Sequence, residues 1–120
     1  MASVKFMEHK GKRILHMDFS YSEINEIIKA IDEAAKLIEK EPPVSVLGLV
    51  DVTASRFDKA VSDKLKDFTA HNKPYMKMTA IVGIEKIKKV IYLAVMSFSG
   101  RKNLILKDTV EEANDWLAAQ

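Results

Sequence analysis

The chain has 120 residues, 48% apolar and 30% charged, with four glycines, three prolines and no cysteine. That balance excludes a disordered or collagen-like chain, and the missing cysteine excludes disulfide scaffolds, thiolate metal sites and cysteine nucleophiles. A net charge of +2 is too small to imply nucleic acid.

The length fits one domain, 1–120, whose core needs no staples. Val4–His9 and Arg13–Phe19 read as two strands joined by a turn at Lys10-Gly11-Lys12, an antiparallel hairpin. Ser20-Tyr21-Ser22-Glu23 matches a capping box with Ser20 as N-cap. Behind it Ile24, Ile27, Ile28, Ile31, Ala35 and Ile38 share one helical face, and Pro42-Pro43 cannot continue the helix. Val44–Val52 is a nearly continuous apolar run, the pattern of a strand buried on both faces.

A second helix is expected from Ser55, with Phe57, Val61, Leu65 and Phe68 inward and a stop at Asn72-Lys73-Pro74. Met78–Gly83 reads as another buried strand, Glu85–Ser97 as a third helix, and Asn103–Lys107 as the last strand. Thr109-Val110-Glu111-Glu112 is a second capping box, before a helix anchored by Ala113, Trp116 and Leu117. The order β-β-α-β-α-β-α-β-α predicts an α/β fold: about five strands in a mixed sheet, an N-terminal antiparallel hairpin, and helices on both faces.

The third predicted helix is apolar all round. Ile84, Ile87, Ile91, Ala94, Val95 and Phe98 form one face, and Val90, Tyr92, Leu93 and Met96 occupy the other. Such a helix is normally covered, by a second subunit, an apolar ligand, a membrane surface, or deep packing in the monomer itself. From Lys73 to Lys102 the chain carries seven Lys/Arg (Lys73, Lys77, Lys86, Lys88, Lys89, Arg101, Lys102) against Glu85 alone, a net +6. Basic residues beside an apolar helix suit an anionic membrane surface or an acidic protein partner, and are otherwise ordinary solvated lysines. Nucleic acid is not expected, because Tyr75 is the only aromatic near the basic run outside a predicted core element. The longest apolar run, Val90–Met96, is too short to span a bilayer and the N-terminus has no signal-peptide h-region, so a cytoplasmic protein is expected, peripheral at the membrane if the basic run binds lipid.

In open α/β sheets, ligands sit outside the carboxyl ends of the strands. Three such ends are legible: Asp51-Thr53-Ser55, Gly83-Ile84-Glu85 and Lys107-Asp108-Thr109. The first could hold a phosphate or a phosphorylated Ser55 at a helix N-terminus; equally, Ser55 could be a plain N-cap with Asp58 at its third position. A phosphoryl-receiver reading of Asp51 is a weak match: Lys107 suits the final position, though no Pro follows it, but Asp18 has no acidic neighbour and Thr79 falls near the start of its strand. His9, His16 and His71 have no helical partner, and only His9 and His16 could meet, across the hairpin turn. No Gly-rich phosphate loop, metal set, cofactor motif or Ser-His-Asp order is present, so no enzyme chemistry is read.

Three stretches resemble a known family. Leu49–Thr53 resembles a buried strand ending in Asp, Ala80–Ile84 with Lys88-Lys89-Val90 resembles a second central strand and its helix, and Lys107–Leu117 resembles a closing signature of Asp-Thr, Glu-Glu-Ala and Trp-Leu. With the element order, these resemble the sulfate-transporter and anti-sigma-factor-antagonist (STAS) fold, and within it the SpoIIAA-like family of small bacterial proteins. That resemblance implies a non-catalytic regulatory or binding module, often dimeric, that engages a protein partner, an apolar ligand or a membrane surface. The residues expected to carry it are Ile87, Val90, Ile91, Leu93, Ala94 and Met96 for apolar contact, and Lys86, Lys88, Lys89, Arg101 and Lys102 for charge. The family's Asp-Ser-Ser-Gly phosphorylation segment is replaced by Asp51–Asp58, with hydroxyls but no glycine or paired serines. A phosphorylation-switched antagonist centred on Ser55 or Thr53 is the alternative.

Overall fold

The computed structural model describes residues 2–56, 58–84 and 103–120. Among them are β1 (Ser3–His9), β2 (Lys12–Asp18), α1 (Ile24–Ile38), β3 (Val46–Asp51), α2 (Lys59–Asn72), β4 (Met76–Val82), β5 (Leu104–Lys107) and α3 (Val110–Ala118). The helix predicted over Glu85–Ser97 lies outside the described residues, as does Phe57. The five strands form one sheet in chain order: β1 pairs antiparallel with β2, and β2, β3, β4 and β5 run parallel. The α/β class, the mixed sheet and the N-terminal hairpin therefore match the sequence pattern.

Pairing of His9 with Lys12 leaves a two-residue turn, Lys10-Gly11, with φ of +52° and +79°. Two left-handed residues are what a type I′ hairpin turn needs to follow the strands' twist.

Alternation along the strands, offset once by the irregular pairing between Val46–Met76 and Leu47–Met78, sorts the core into two halves. Leu15 and Met17 of β2, Val46 of β3 and Met76 of β4 face α1 and α2, whose Ile27, Ala30, Ile31, Ala34, Ile38, Val61 and Phe68 are buried against them. Ile14, Leu47, Leu49, Ala80 and Val82 point the opposite way, onto Ala113 and Leu117 of α3. Each large aliphatic side chain so buried contributes about 1.5–3 kcal/mol relative to exposure. β3 is covered on both sides, as its unbroken apolar run predicts. Arg13 ties the hairpin to the end of α1: its guanidinium lies 3.5 Å from the Phe6 ring centre and donates to Glu41 Oε1 at 2.6 Å.

Two helix starts differ from the sequence reading, each by the same three residues. α1 is capped by Glu23, not Ser20, in a reciprocal box with Glu26. Ser20 is engaged elsewhere, its N–H and hydroxyl both donating to Asp18 Oδ1. α2 is capped by Asp58, which accepts from the Val61 N–H at 2.8 Å, while Ser55 donates its hydroxyl back to Val52 O. The Thr109 cap of α3 is as predicted, accepting from Glu112 N–H. β4 also begins two residues before its predicted start, because Met76 pairs with Val46.

Candidate functional site

β2, β3 and β4 end level with one another: Asp18 pairs with Asp51, and Asp51 with Val82. The ladder runs one residue further, through Phe19 N–H to Asp51 O at 2.8 Å and Val52 N–H to Val82 O at 2.9 Å. Beyond it, two loops are stitched together by Tyr21 N–H to Thr53 O and Arg56 N–H to Ser22 O. Tyr21 and Ala54 take left-handed φ of +53° and +50° in these loops. Tyr21 is 73% exposed.

The two strand-end carboxylates serve as turn makers. Asp18 Oδ1 accepts from Ser20, and Asp51 Oδ1 accepts from the Thr53 N–H at 3.0 Å. Aspartates two residues ahead of such an N–H hold loops this way throughout proteins. Thr53 sits hard against Gly83, whose φ is +85°. A Cβ added at Gly83 would lie 2.2 Å from Thr53 Oγ1 and 2.6 Å from its backbone nitrogen.

The predicted anion site divides on inspection. Ser55 is 7% exposed and donates inward to Val52 O at 2.7 Å. The α2 N-terminus lies three residues further on and already holds the carboxylate of Asp58. Thr53 is half-buried at the rim. Arg56 and Glu23 flank the same edge, 3.7 Å apart and both exposed. Thr79 is buried in β4 opposite Gly48, three rungs below the strand end, so it is not beside Asp51.

The other strand end, Lys107-Asp108-Thr109, serves α3. Thr109 caps the helix, and the Lys107 ammonium lies 5.7 Å from the Trp116 ring centre. Glu85 of the remaining end lies outside the described residues. So do the expected apolar set, Ile87, Val90, Ile91, Leu93, Ala94 and Met96, and the basic set, Lys86, Lys88, Lys89, Arg101 and Lys102. Lys73 and Lys77 of the basic run are described, and both are exposed.

The histidines do not converge. His9 pairs with Lys12 and His16 with Lys5, so they stand on separate rungs. Among the described residues no group of three or more His, Asp or Glu is placed to hold a metal ion. His9 instead meets Asp115 of α3 at 2.7 Å, with Lys10 3.0 Å from the same oxygen. These contacts, the His9 hydrogen bond first, hold the Asp115 carboxyl below its usual range. His16 lies half-buried with its proton affinity lowered, chiefly by burial.

Two features carry no signal in the sequence. One is this histidine contact across a hundred residues of chain. The other is a groove of about 170 Å³ between α1 and α2, floored by Ile31, Ala35 and Phe68 and rimmed by Asp32, Lys64 and Asp67. An Asp32–Lys64 ion pair at 2.5 Å closes one side of it. Comparison of the chain with protein-family models, with curated proteins and with solved structures returns no match.

Proposed function

We propose that the chain is a non-enzymatic regulatory or binding module of the STAS-like, SpoIIAA-like kind, which engages a protein partner, an apolar ligand or an anionic membrane surface through residues 85–102. The observation that carries this reading is the sequence there: an apolar stretch, Val90–Met96, flanked by Lys86, Lys88, Lys89, Arg101 and Lys102. Such a stretch gains affinity for an anionic surface from buried apolar area and from each basic residue near the lipid, about 1 kcal/mol apiece. The strand-end groups support the non-catalytic half of the reading, because Asp18 and Asp51 are spent on holding their own loops. In the same reading a second subunit covers the apolar stretch, giving a homodimer.

Cosedimentation with vesicles containing a third phosphatidylserine, beside purely zwitterionic ones, tests the membrane form. Binding to the anionic vesicles alone, lost in the triple variant K86E/K88E/K89E, is the expected result. Equal binding by the variant, or none by the parent protein, overturns it.

A second reading is a phosphorylation switch at Thr53, favoured by its contact with Gly83 at the threshold of residues 85–102. Phosphate there adds two acceptor-rich negative charges where the strand leaves the sheet. Thr53 is better placed than Ser55, whose hydroxyl points inward. Phosphosite mapping of the protein isolated from its own cells decides it: phosphate on Thr53 supports the switch, and an unmodified Thr53–Ser55 peptide under all growth conditions removes it.

A further inference from the structure

The sheet has a second pole, opposite the strand ends described above, where β2, β3 and β4 begin and the hairpin turn lies. Strand and helix direction gather Lys10, Lys12, Arg13, Lys40, Lys73 and Lys77 here, all exposed. Of the carboxylates at this pole, Asp115 is engaged by His9 and Lys10, Glu41 by Arg13, and Glu39 lies 3.5 Å from His71. Glu8 stands opposite Arg13 in the hairpin, and Lys12 reaches the Gln120 carbonyl. Among the described residues, no carboxylate pairs with Lys40, Lys73 or Lys77. Lys40 and Lys73 follow the carboxyl ends of α1 and α2, where cations are favoured in any case. Lys77 is placed differently. Val46 pairs with Met76 and Leu47 with Met78, so Lys77 is an extra residue in β4, a bulge. Asn103 braces it, the side-chain amide donating to Met76 O at 2.9 Å and to Lys77 O at 3.2 Å.

Beside these lysines the chain holds an apolar tip in water. Val44 is 64% exposed, with a left-handed φ of +53° that a β-branched residue rarely adopts. Backbone contacts keep it there. Its N–H donates to Pro74 O, and the Ser45 and Val46 N–H groups both donate to Tyr75 O, each at 3.0 Å. The Ser45 hydroxyl closes the loop onto Pro42 O at 2.6 Å. Pro42, Pro43 and Pro74 are exposed around it, and their rings add apolar area with little freedom to lose. The bond from Val44 to Pro74 also joins the two loops, so the tip stands next to Lys73.

An acidic protein partner would need about 800 Å² from this side, more than one valine and three prolines supply with no exposed aromatic anchor among them. A bilayer asks for less. A small apolar projection enters the interface, and lysines within about 10 Å of an anionic surface are drawn to it. We propose that this pole is a lipid-contact surface: Val44 and its prolines enter the headgroup region of an anionic bilayer, and Lys73 and Lys77 meet the negative headgroups. Resting on the membrane form of the function proposed above, this contact lies outside residues 85–102 and uses Lys73 and Lys77 of the same basic run.

The chain has no cysteine, so a single introduced one takes a label alone. V44C and, at the exposed Arg56 of the opposite pole, R56C are each labelled with nitrobenzoxadiazole. Each is mixed in the full chain with vesicles containing one-third phosphatidylserine, or with purely zwitterionic ones. A blue shift at residue 44 with the anionic vesicles alone, and none at residue 56, is the expected result. Adding K73Q/K77Q to V44C should raise the lipid concentration needed about thirtyfold, as for two lysines near an anionic surface. A silent label at residue 44, on protein that cosediments with the vesicles, overturns the pole and spares residues 85–102. Equal shifts at both positions, or no loss with K73Q/K77Q, overturn the pole too. A shift that grows with protein concentration without vesicles puts a second copy there instead of lipid. A shift at residue 44 that persists in K86E/K88E/K89E keeps the pole and removes residues 85–102, and no binding at all removes both.

Discussion

Gly83 and Gly48 look alike in the sequence, single glycines in apolar strands, and the structure separates them. At Gly83 the left-handed φ costs any other residue about 1–2 kcal/mol. The added methyl would also meet the Thr53 backbone, which cannot step aside. At Gly48 the methyl would meet Met76 Cε at 2.7 Å and Met17 Cε at 3.0 Å, the free ends of flexible side chains. G83A should therefore lose about 2–5 kcal/mol in urea unfolding, adding strain to overpacking. G48A should stay within about 1 kcal/mol, since removing a strand glycine offsets part of the crowding. Removing the neighbour's hydroxyl tests the cause: the double variant G83A/T53A should remain as unstable as G83A, because the contacts with the backbone nitrogen and Cα of residue 53 persist. Recovery in the double variant would assign the clash to the side chain alone. The sequence marked Gly83 as a strand end; the close approach of Thr53 was invisible, since it comes from a loop thirty residues away.

At the scale of elements, apolar runs and punctuation located the described strands and helices, and helix starts were where the reading slipped. Both Ser20-x-x-Glu23 and Ser55-x-x-Asp58 satisfy the local rule for a cap, so sequence alone favoured the first residue of each. Contacts from distant parts of the chain decided against it. Arg56 N–H bonds Ser22 O and Tyr21 N–H bonds Thr53 O, which keeps both segments as loops for another turn. The helices then begin on the acidic residue. For α2 this places the capping energy on Asp58. D58A should cost about 1 kcal/mol of stability, whereas D58N, whose amide oxygen caps equally well, should cost a few tenths. Equal losses in D58A and D58N would show that the charge, and not the accepted hydrogen bond from Val61, is what matters at this terminus. The exposed Lys59–Asp63 pair one turn later, which raises the lysine and lowers the aspartate in proton affinity, adds little because both partners stand in water.

Across the whole molecule, the burial of β3 on both faces, with helices packed on either side of the sheet, was legible in its continuous apolar run. The polar clasps that bind the layers were not, because Arg13–Glu41 and His9–Asp115 join residues with no shared periodicity. The candidate site was legible in position but not in use. Asp51, Thr53 and Ser55 do lie at the carboxyl end of a central strand, yet Asp51 and Ser55 hold their loop together. That shifts the weight of the functional reading to residues 85–102, whose apolar and basic pattern has to be covered or solvated. Val90, Leu93 and Met96 recur at three-residue spacing, and side chains so spaced share one side of a helix. If a second copy covers that side, a single charge placed within it should separate the copies, since an unpaired carboxylate in an apolar interface costs several kcal/mol. Native mass spectrometry of the gently purified chain should accordingly show a dimer, and L93D and M96D should each shift it to monomer while unfolding as cooperatively as the parent. A parent protein that is monomeric and carries a lipid-sized added mass would instead identify a bound apolar molecule as the cover. A clean monomer, with L93D losing its fold, would place the stretch in the protein's own core and remove the dimer.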